Sequence, residues 1–475
     1  MSEISLPQIV VELGRTNLLP AIVFRSSRNQ CDEDVERVAG NPKLAIEKSL
    51  QRVIKDRIGE IATRYDLDME LITSHPHYAS LINTAVGAHH AGQLLMWRLV
   101  LEELMAASLL RILVATGTVA AGVDFPARTV IITAHTRRGS EGYQKFSSSE
   151  FQQMSGRAGR RGKDAVGFCL AAPSRFCDAR VLKDIAGRPP EPLKSSYFPS
   201  PSTVLNLLRY RTVDGLRFTV ERSLAAFKDK KDGLLLRREA EEAEHDLKKL
   251  ESSKGDNSVE TERVKKLKKR IRRLYRMAED LDIRQNELLR ASLDGLRSLS
   301  YVSEDVISEK GAWAANLCTT LVIELAEFIE EGIINHKSSL DELVAIVASI
   351  SGDAHRPYLK GKDHIISSEI SDKMTSVLNR VQLSGMPGIL EDREVLEDAA
   401  RTALLWLRAE NWLEFRTVLL LGGVAEGDAA RLISQTSEQL NQIARLTQSH
   451  PELSSMAADA RQRLLRPPLT EAFEF

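Results

Sequence analysis

Short apolar runs separated by helical patterns constrain this chain more than any other feature. "PAIVF" at 20–24, "RILVA" at 111–115, "TVIIT" at 129–133 and "AVGFCLAA" at 165–172 are brief, and most are rich in β-branched residues. Amphipathic stretches lie between them. Strands joined by helices need crossover connections, so residues 1–187 are expected to form an α/β domain with a mostly parallel sheet.

The pattern then changes. "GRPPEPLKSSYFPSPS" is rich in Pro and Ser and reads as a connector. Residues 229–290 are the most charged part of the chain. "LLLRREAEEAEHDLKKLE" precedes a turn signal, "SSKGDNS", and "VETERVKKLKKRIRRLYRMAEDLDI" follows it. Val264, Leu267, Ile271, Leu274 and Leu281 fall at a/d-like spacing. An antiparallel helical hairpin is predicted, acidic on its first arm and basic on its second. Its basic face, including Lys265, Lys268, Arg272 and Arg276, is either a solvated face or a contact for phosphate or a partner. From about 290 the pattern is almost wholly helical, with a long amphipathic helix at 426–446.

Composition narrows the class. The 475 residues allow two to four domains, and the formal net charge of −1 excludes bulk basicity as a signal for nucleic acid. Cys31, Cys169, Cys177 and Cys318 form no C-x-x-C pair, which reads as reduced structural thiols in a cytoplasmic protein. The first residues lack a signal-peptide pattern. No window approaches the ~18 apolar residues that span a membrane.

Three stretches carry chemistry: "AVGAHHAG" at 85–92, "RILVATGTVAAGVDFPARTVIIT" at 111–133 and "FQQMSGRAGRRG" at 151–162. In the second, a strand delivers Thr116, Gly117 and Thr118 into a turn whose hydroxyls and amides suit a phosphate oxygen; a lone Thr-Gly-Thr is equally an ordinary helix cap. Asp124 follows Gly-Val and suits a ribose hydroxyl. In the third, Arg157 and Arg160 lie three apart, are expected at a helix start, and so would project to one side. Two guanidiniums so placed suit a transferring phosphoryl group, with Gln153 one turn earlier; the other reading is a basic loop on a nucleic-acid backbone. Adjacent His89 and His90 diverge and lack an evident third ligand, so no metal is expected.

In this order the stretches resemble the second motor domain of superfamily 2 helicases, nearest the superkiller-type DExH group that includes exosome-associated RNA helicases. "PAIVFRSSRNQC" looks like that family's motif IV, "GAHHAG" its IVa, "ATGTVAAGVDFPA" its V and "QMSGRAGRRG" its VI. The resemblance implies a RecA-like parallel-sheet domain (1–187) followed by a mainly α region. The latter would comprise a winged-helix-like part (188–230 and 288–345), the charged hairpin as an insertion (231–287) and a helical ratchet-like domain (346–475). It implies that Arg157 and Arg160 are arginine fingers and that Gln153 faces the nucleotide. Gly122 and Asp124 would lie at ATP. Thr116, Gly117 and Thr118, with Ser26 and Arg28 as helpers, would hold nucleic-acid phosphate. Phe24 is expected in the core. "EGDAARLISQTSEQLNQI" looks like the ratchet helix, putting Arg431, Gln435 and Glu438 at the nucleic-acid channel; Gln435 stands where exosome-associated members carry a basic residue.

Neither G-x-x-x-x-G-K-[ST] nor a D-E-x-H box occurs in the sequence. "GRRGKDA" fails because Asp164 stands where a hydroxyl must meet magnesium, and "CDEDVE" at 31–36 is expected on a helix as solvated acids. Without a P-loop and an acidic box, ATP and Mg²⁺ cannot be held tightly. The expectation is therefore half of an ATP-dependent helicase or translocase, inactive alone. A first motor domain in a separate chain would supply the other half, and single-stranded nucleic acid, RNA by analogy, would be the substrate. A non-catalytic nucleic-acid-binding or scaffold protein derived from a helicase is the alternative, and a piece of a longer helicase the third.

Overall fold

A computed structural model of the chain describes residues 4–117, 127–139, 142–252 and 258–469. Its first region contains β1 (Ala21–Arg25), β2 (Val86–His89), β3 (Ile112–Thr116), β4 (Thr129–Ile132), the antiparallel hairpin β5 (Thr136–Gly139) and β6 (Gly142–Lys145), and β7 (Phe168–Ala171). Among the described residues, five of these strands make one parallel sheet in the order β2-β3-β1-β4-β7. The sheet confirms the parallel RecA-like expectation.

Helices cover both faces, which is why the strands read as continuous apolar runs rather than alternating ones. The first region supplies α1 (Leu6–Arg15), α2 (Arg28–Ala39), α3 (Lys48–Arg64), α4 (Met69–Thr73), α5 (Tyr78–Thr84), α6 (Leu95–Ala106), α7 (Ser148–Ser155) and α8 (Ala179–Ala186). Ala21 and Val23 of β1 pack toward α1 and α2, while Ile22 and Phe24 pack toward α3 and α6. The period of two sends alternate residues to opposite faces. Phe24 is thus a core residue, as expected. β7, at the sheet edge, stays largely exposed.

The connector after α8 carries no helix or strand from 189 to 200. It is pinned through Glu191, whose carboxylate accepts the N–H groups of Ser148 (2.8 Å) and Ser149 (2.9 Å) at the start of α7. An acceptor there satisfies amides that the helix leaves free and complements its dipole. Beyond lie α9 (Pro201–Leu208), α10 (Val213–Glu221), α11 (Leu224–Ser252), α12 (Ser258–Ser298), the short hairpin β8 (Val302–Ser303) and β9 (Val306–Ile307), and α13 (Glu309–Ala314).

α11 and α12 are the predicted antiparallel pair, longer than expected at both feet because α12 also packs on α9 and α10. The seam buries Ala240 and Ala243 of α11 and Ile271, Leu274 and Ala278 of α12, and Gly233 of α11 lies close to the Ala278 carbonyl. Val264, Leu267 and Leu281 are half-buried along it.

The last region is helical: α14 (Val322–Glu330), α15 (Leu340–Ser351), α16 (Ser368–Leu383), α17 (Glu397–Arg408), α18 (Trp412–Leu421), α19 (Glu426–Ala444) and α20 (Pro451–Leu464). α15 is buried from Leu343 to Ile350, and α17, α19 and α20 surround it. Trp406, Trp412 and Phe415 meet edge-to-face or tilted, with ring centroids 5.0–5.6 Å apart. Aromatic groups of this kind bury large areas and fix mutual geometry. The apolar core on one face of the sheet continues without a break into these helices. Among the described residues, no helix is long and apolar enough to cross a membrane.

Candidate functional site

In an open parallel sheet, loops at the carboxyl ends of the strands are the usual ligand-holding positions. Three of the four motifs reach that edge here. β1 ends at Arg25 and passes into Ser26 and Ser27. Ser27 caps α2 by accepting the Gln30 N–H, and Ser26 donates to Gln30 Oε1 at 2.8 Å. β3 ends at Thr116 and Gly117, and a Cβ at Gly117 would meet Met154 Sδ of α7 at 4.0 Å. Thr118, Gly122 and Asp124 lie outside the described residues.

α7 delivers the arginine motif, and its geometry differs from the expectation. Ser147 and Glu150 form a reciprocal capping box at its start. Gly156 closes it, so Gln153 sits in its exposed last turn while Arg157 and Arg160 lie beyond its end. They do not occupy a helix start. The physical reason is the Gly pair: Gly156 caps the helix, and Gly159 adopts φ +93°, a left-handed value that L side chains rarely take. The loop is then stitched to Ala127, the last residue of the motif V stretch. Ala127 N–H donates to Arg157 O (2.9 Å) and Gly159 N–H to Ala127 O (2.7 Å). Gly167 lies flush against this bridge; a Cβ there would come within 2.4 Å of the Ala158 carbonyl. The structure therefore joins motifs V and VI through backbone.

Arg160 is already engaged. Its Nε and Nη2 donate to the two oxygens of Asp164 at 2.7 and 3.0 Å, its own N–H adds a third bond to Asp164, and Nη1 reaches Ser108 Oγ at 3.3 Å. Such fork-on-carboxylate pairing is strong and directional. The bonds from Arg160 hold the Asp164 carboxyl down to about 2. Arg157 is half-buried in the turn.

Arg28, the expected helper at phosphate, is ion-paired here. Its Nη1 lies 2.8 Å from Asp428 Oδ2, while Arg356 Nη1 binds the other oxygen at 2.6 Å. Asp428 is 5% exposed and stands in the first turn of α19, four hundred residues from Arg28. The neighbouring Gly427 N–H donates to Gly92 O at 3.0 Å. The approach requires glycine, since a Cβ at 427 would sit 2.3 Å from Ala91 O. Glu426 binds Arg416 at 2.9 Å and accepts from the Trp412 indole at 2.7 Å; Arg416 in turn reaches Ser74 Oγ at 2.8 Å. The start of α19 is thus docked onto the "HHAG" loop of the α/β domain.

The expected solvated acids on α2 need a correction too. Asp34 pairs with Arg25 at 2.6 Å, both side chains 3% exposed. β1 carries Arg25 into the domain, and burial demands a partner for it.

His89, the last residue of β2, and His90, just beyond it, reach different partners. His89 Nε2 meets Glu102 at 2.6 Å, and His90 Nε2 meets Asp32 at 2.8 Å. His75 stacks on Trp97 with centroids 3.8 Å apart. Burial pushes the His75, His77 and His89 imidazoles below their ordinary range. Among the described residues, no group of three or more His, Cys, Asp or Glu is placed to hold a metal ion.

A second cluster lies along α19. Arg431, Gln435 and Glu438 share its exposed face, while Leu432, Ile433, Thr436 and Leu440 are buried. Gln435 and Gln439 border a cavity of about 430 Å³ that also takes in Asp353, His355 and Arg393. This cluster meets the first through Asp428.

The sequence reading missed one cleft. Arg25, Ser26, Gln30, Arg175 and Tyr143 enclose about 340 Å³ at the end of β1. Tyr143, 66% exposed, comes from the β5–β6 hairpin, whose foot is held by an Arg137–Glu150 ion pair. The aromatic in "EGYQK", one residue after a glycine and next to a polar run, was the available signal.

Two families match in chain order. Residues 74–162 match the helicase conserved C-terminal domain, and residues 304–472 match the DSHCT (NUC185) domain. Among curated proteins, the chain is 31% identical over 294 residues to superkiller complex protein 2 of Mus musculus, covering 59% of this chain and 22% of that protein. It is 29% identical over 272 residues to the probable helicase HelY of Mycobacterium tuberculosis, covering 56% and 30%. It is 30% identical over 202 residues to the DExH-box ATP-dependent RNA helicase DExH10 of Arabidopsis thaliana, covering 42% and 20%. The chain thus matches less than a third of the length of each of these relatives. Both domains in this order, on a RecA-like sheet followed by helices, place the chain in the Ski2-like DExH helicase family, as its C-terminal region.

Proposed function

We propose that the chain supplies the arginine half and the nucleic-acid-guiding half of an ATP-dependent helicase or translocase. In this reading the P-loop and acidic box come from a first motor domain in a separate polypeptide, which holds most of ATP and Mg²⁺. The single observation behind it is the backbone bridge through Ala127. It fixes the Arg157–Arg160 loop against the strand that follows motif V, at the sheet edge where a second motor domain would close. Arg157 and Arg160 then stabilise charge on the transferring phosphoryl group, with Gln153 and Asp124 at the nucleotide. For Arg160 this requires release from Asp164, which becomes part of closure.

Nucleic acid runs past Ser26, Thr116, Gly117 and Thr118, and along Arg431, Gln435 and Glu438 of α19. Tyr143 and Arg175 add an aromatic and a cation beside Ser26, the pairing that suits single strands. The winged-helix-like unit (188–230 and 288–345) would take in α9, α10, α13, α14 and the β8–β9 hairpin, and the ratchet-like one (346–475) α16–α20, with α15 at the boundary. RNA is the favoured substrate, since relatives of this chain are named as RNA helicases.

The test mixes the chain with the P-loop protein that copurifies with it. The expected result is negligible ATPase for the chain alone and nucleic-acid-stimulated turnover for the mixture. Arg157→Ala and Arg160→Ala each lower turnover on the order of 10³-fold with assembly intact. Unchanged turnover in both variants defeats the finger assignment; copurification of no P-loop protein defeats the two-chain reading.

A further inference from the structure

The distal arm α11–α12 takes no part in the site described above. Its charge is unevenly spread: Glu239, Glu241, Glu242, Glu244 and Asp246 cluster on α11, which carries lysines nearer its two ends, whereas cations crowd the first half of α12. Only some are paired across the seam. Arg270 reaches Glu239 at 2.5 Å, and Lys268 reaches Glu251 at 2.9 Å. Lys266, Lys269, Arg272, Arg273 and Arg276 are exposed, and among the described residues none has a carboxylate within 4.0 Å.

Two features separate this face from an ordinary solvated one. First, Lys266/Arg270, Lys269/Arg273 and Arg272/Arg276 are like-charge pairs at i,i+4, which weaken a helix that opposite charges would strengthen. Second, among the described residues no large apolar side chain is exposed between Leu235 and Met277, so a protein partner would find no anchor along the cations. Lys266, Lys269, Arg273 and Arg276 follow one line with steps of three and four residues. That line spans about 15 Å, roughly one charge per 5 Å. A nucleic-acid strand carries one phosphate per about 3.4 Å of duplex axis.

We infer that this stripe on α12 is a second nucleic-acid site, binding the phosphodiester backbone of a duplex segment at a distance from the motor. The inference rests on the reading of the chain as part of a nucleic-acid motor. Counterion release makes it measurable, because each phosphate contact adds to the salt dependence of binding.

The experiment compares the intact chain with the quadruple variant Lys266→Gln, Lys269→Gln, Arg273→Gln, Arg276→Gln. A control carries Lys230→Gln, Lys231→Gln, Lys248→Gln and Lys249→Gln on α11. Fluorescence anisotropy follows a short labelled duplex and the same strand unpaired across a salt series, and circular dichroism checks the helix content. The α12 variant is expected to bind the duplex on the order of tenfold more weakly at low salt. Its log K against log salt slope should be shallower by about 3. The control and the unpaired strand should change much less. Unchanged duplex binding in the α12 variant overturns the inference and leaves an acidic protein as the arm's partner. Equal loss in variant and control also overturns it, because net charge then explains the effect. If the intact chain binds neither probe, the nucleic-acid reading itself fails along with it.

Discussion

The α/β domain and the arm carry charge in opposite ways. In the domain, Arg25–Asp34 and Arg160–Asp164 are individual pairs, and Arg28 reaches out to an Asp428 that it shares with Arg356; each has at least one buried side chain and each fixes a loop or an interface. In the arm, charge lies on exposed helix faces and pairs such as Arg270–Glu239 sit in solvent. The same residue types therefore do different jobs. Buried pairs define geometry, because losing one member strands the other. Exposed charges define a field, which additional salt screens.

The sharpest way to break that contrast is Asp34→Ala. It leaves Arg25 buried against a missing carboxylate and should cost about 3–5 kcal/mol, read as a lower urea midpoint. Asp428→Asn is next. It weakens the hold on both Arg28 and Arg356 and should cost about 2 kcal/mol, with faster hydrogen exchange at the start of α19.

A smaller effect comes from pH. His75 is held neutral chiefly by burial, with His77, Arg416 and His90 adding repulsion. A depressed imidazole pKa means that the unfolded chain takes up the proton first. This contribution is therefore complete above the unfolded value near 6.5 and falls as pH drops below it. The melting temperature should decline between pH 7.5 and 5.5. His75→Asn, which keeps an acceptor for the His77 N–H, should flatten that decline. Smallest of all, Arg270→Ala should change stability by less than about 0.5 kcal/mol, because its pair is exposed. A loss comparable to that of Asp34→Ala would erase the distinction between the two regions.

Much of this was legible in the chain. β1, β3 and β4 announced themselves as short apolar runs because both faces of the sheet are covered there; β7 shows the same apolar pattern although it lies exposed at the sheet edge. β2 did not, since "VGAHH" mixes glycine and histidine, and its strand pairing comes from β3 alongside. The arm was legible from heptad spacing, a property of one helix pair. The motifs gave the order of the site but not its wiring. Asp164 was weighed only as a failed magnesium ligand, although it stands four residues after Arg160 and binds it. Asp34 looked like a solvated acid because nothing local says that Arg25 points inward. The Arg28–Asp428 pair joins residues that only the folded chain brings together, and no local pattern encodes it.

The docking of α19 at Gly427 and Asp428 has a mechanical consequence. Nineteen residues make α19 about 28 Å long, and its first turn is clamped to the "HHAG" loop. A tilt of about 5° at that end would swing the far end by about 2–3 Å, from the helix length alone. Gln435 and Glu438 ride on this lever, so a small displacement of the sheet edge becomes a stroke along the helix's polar face.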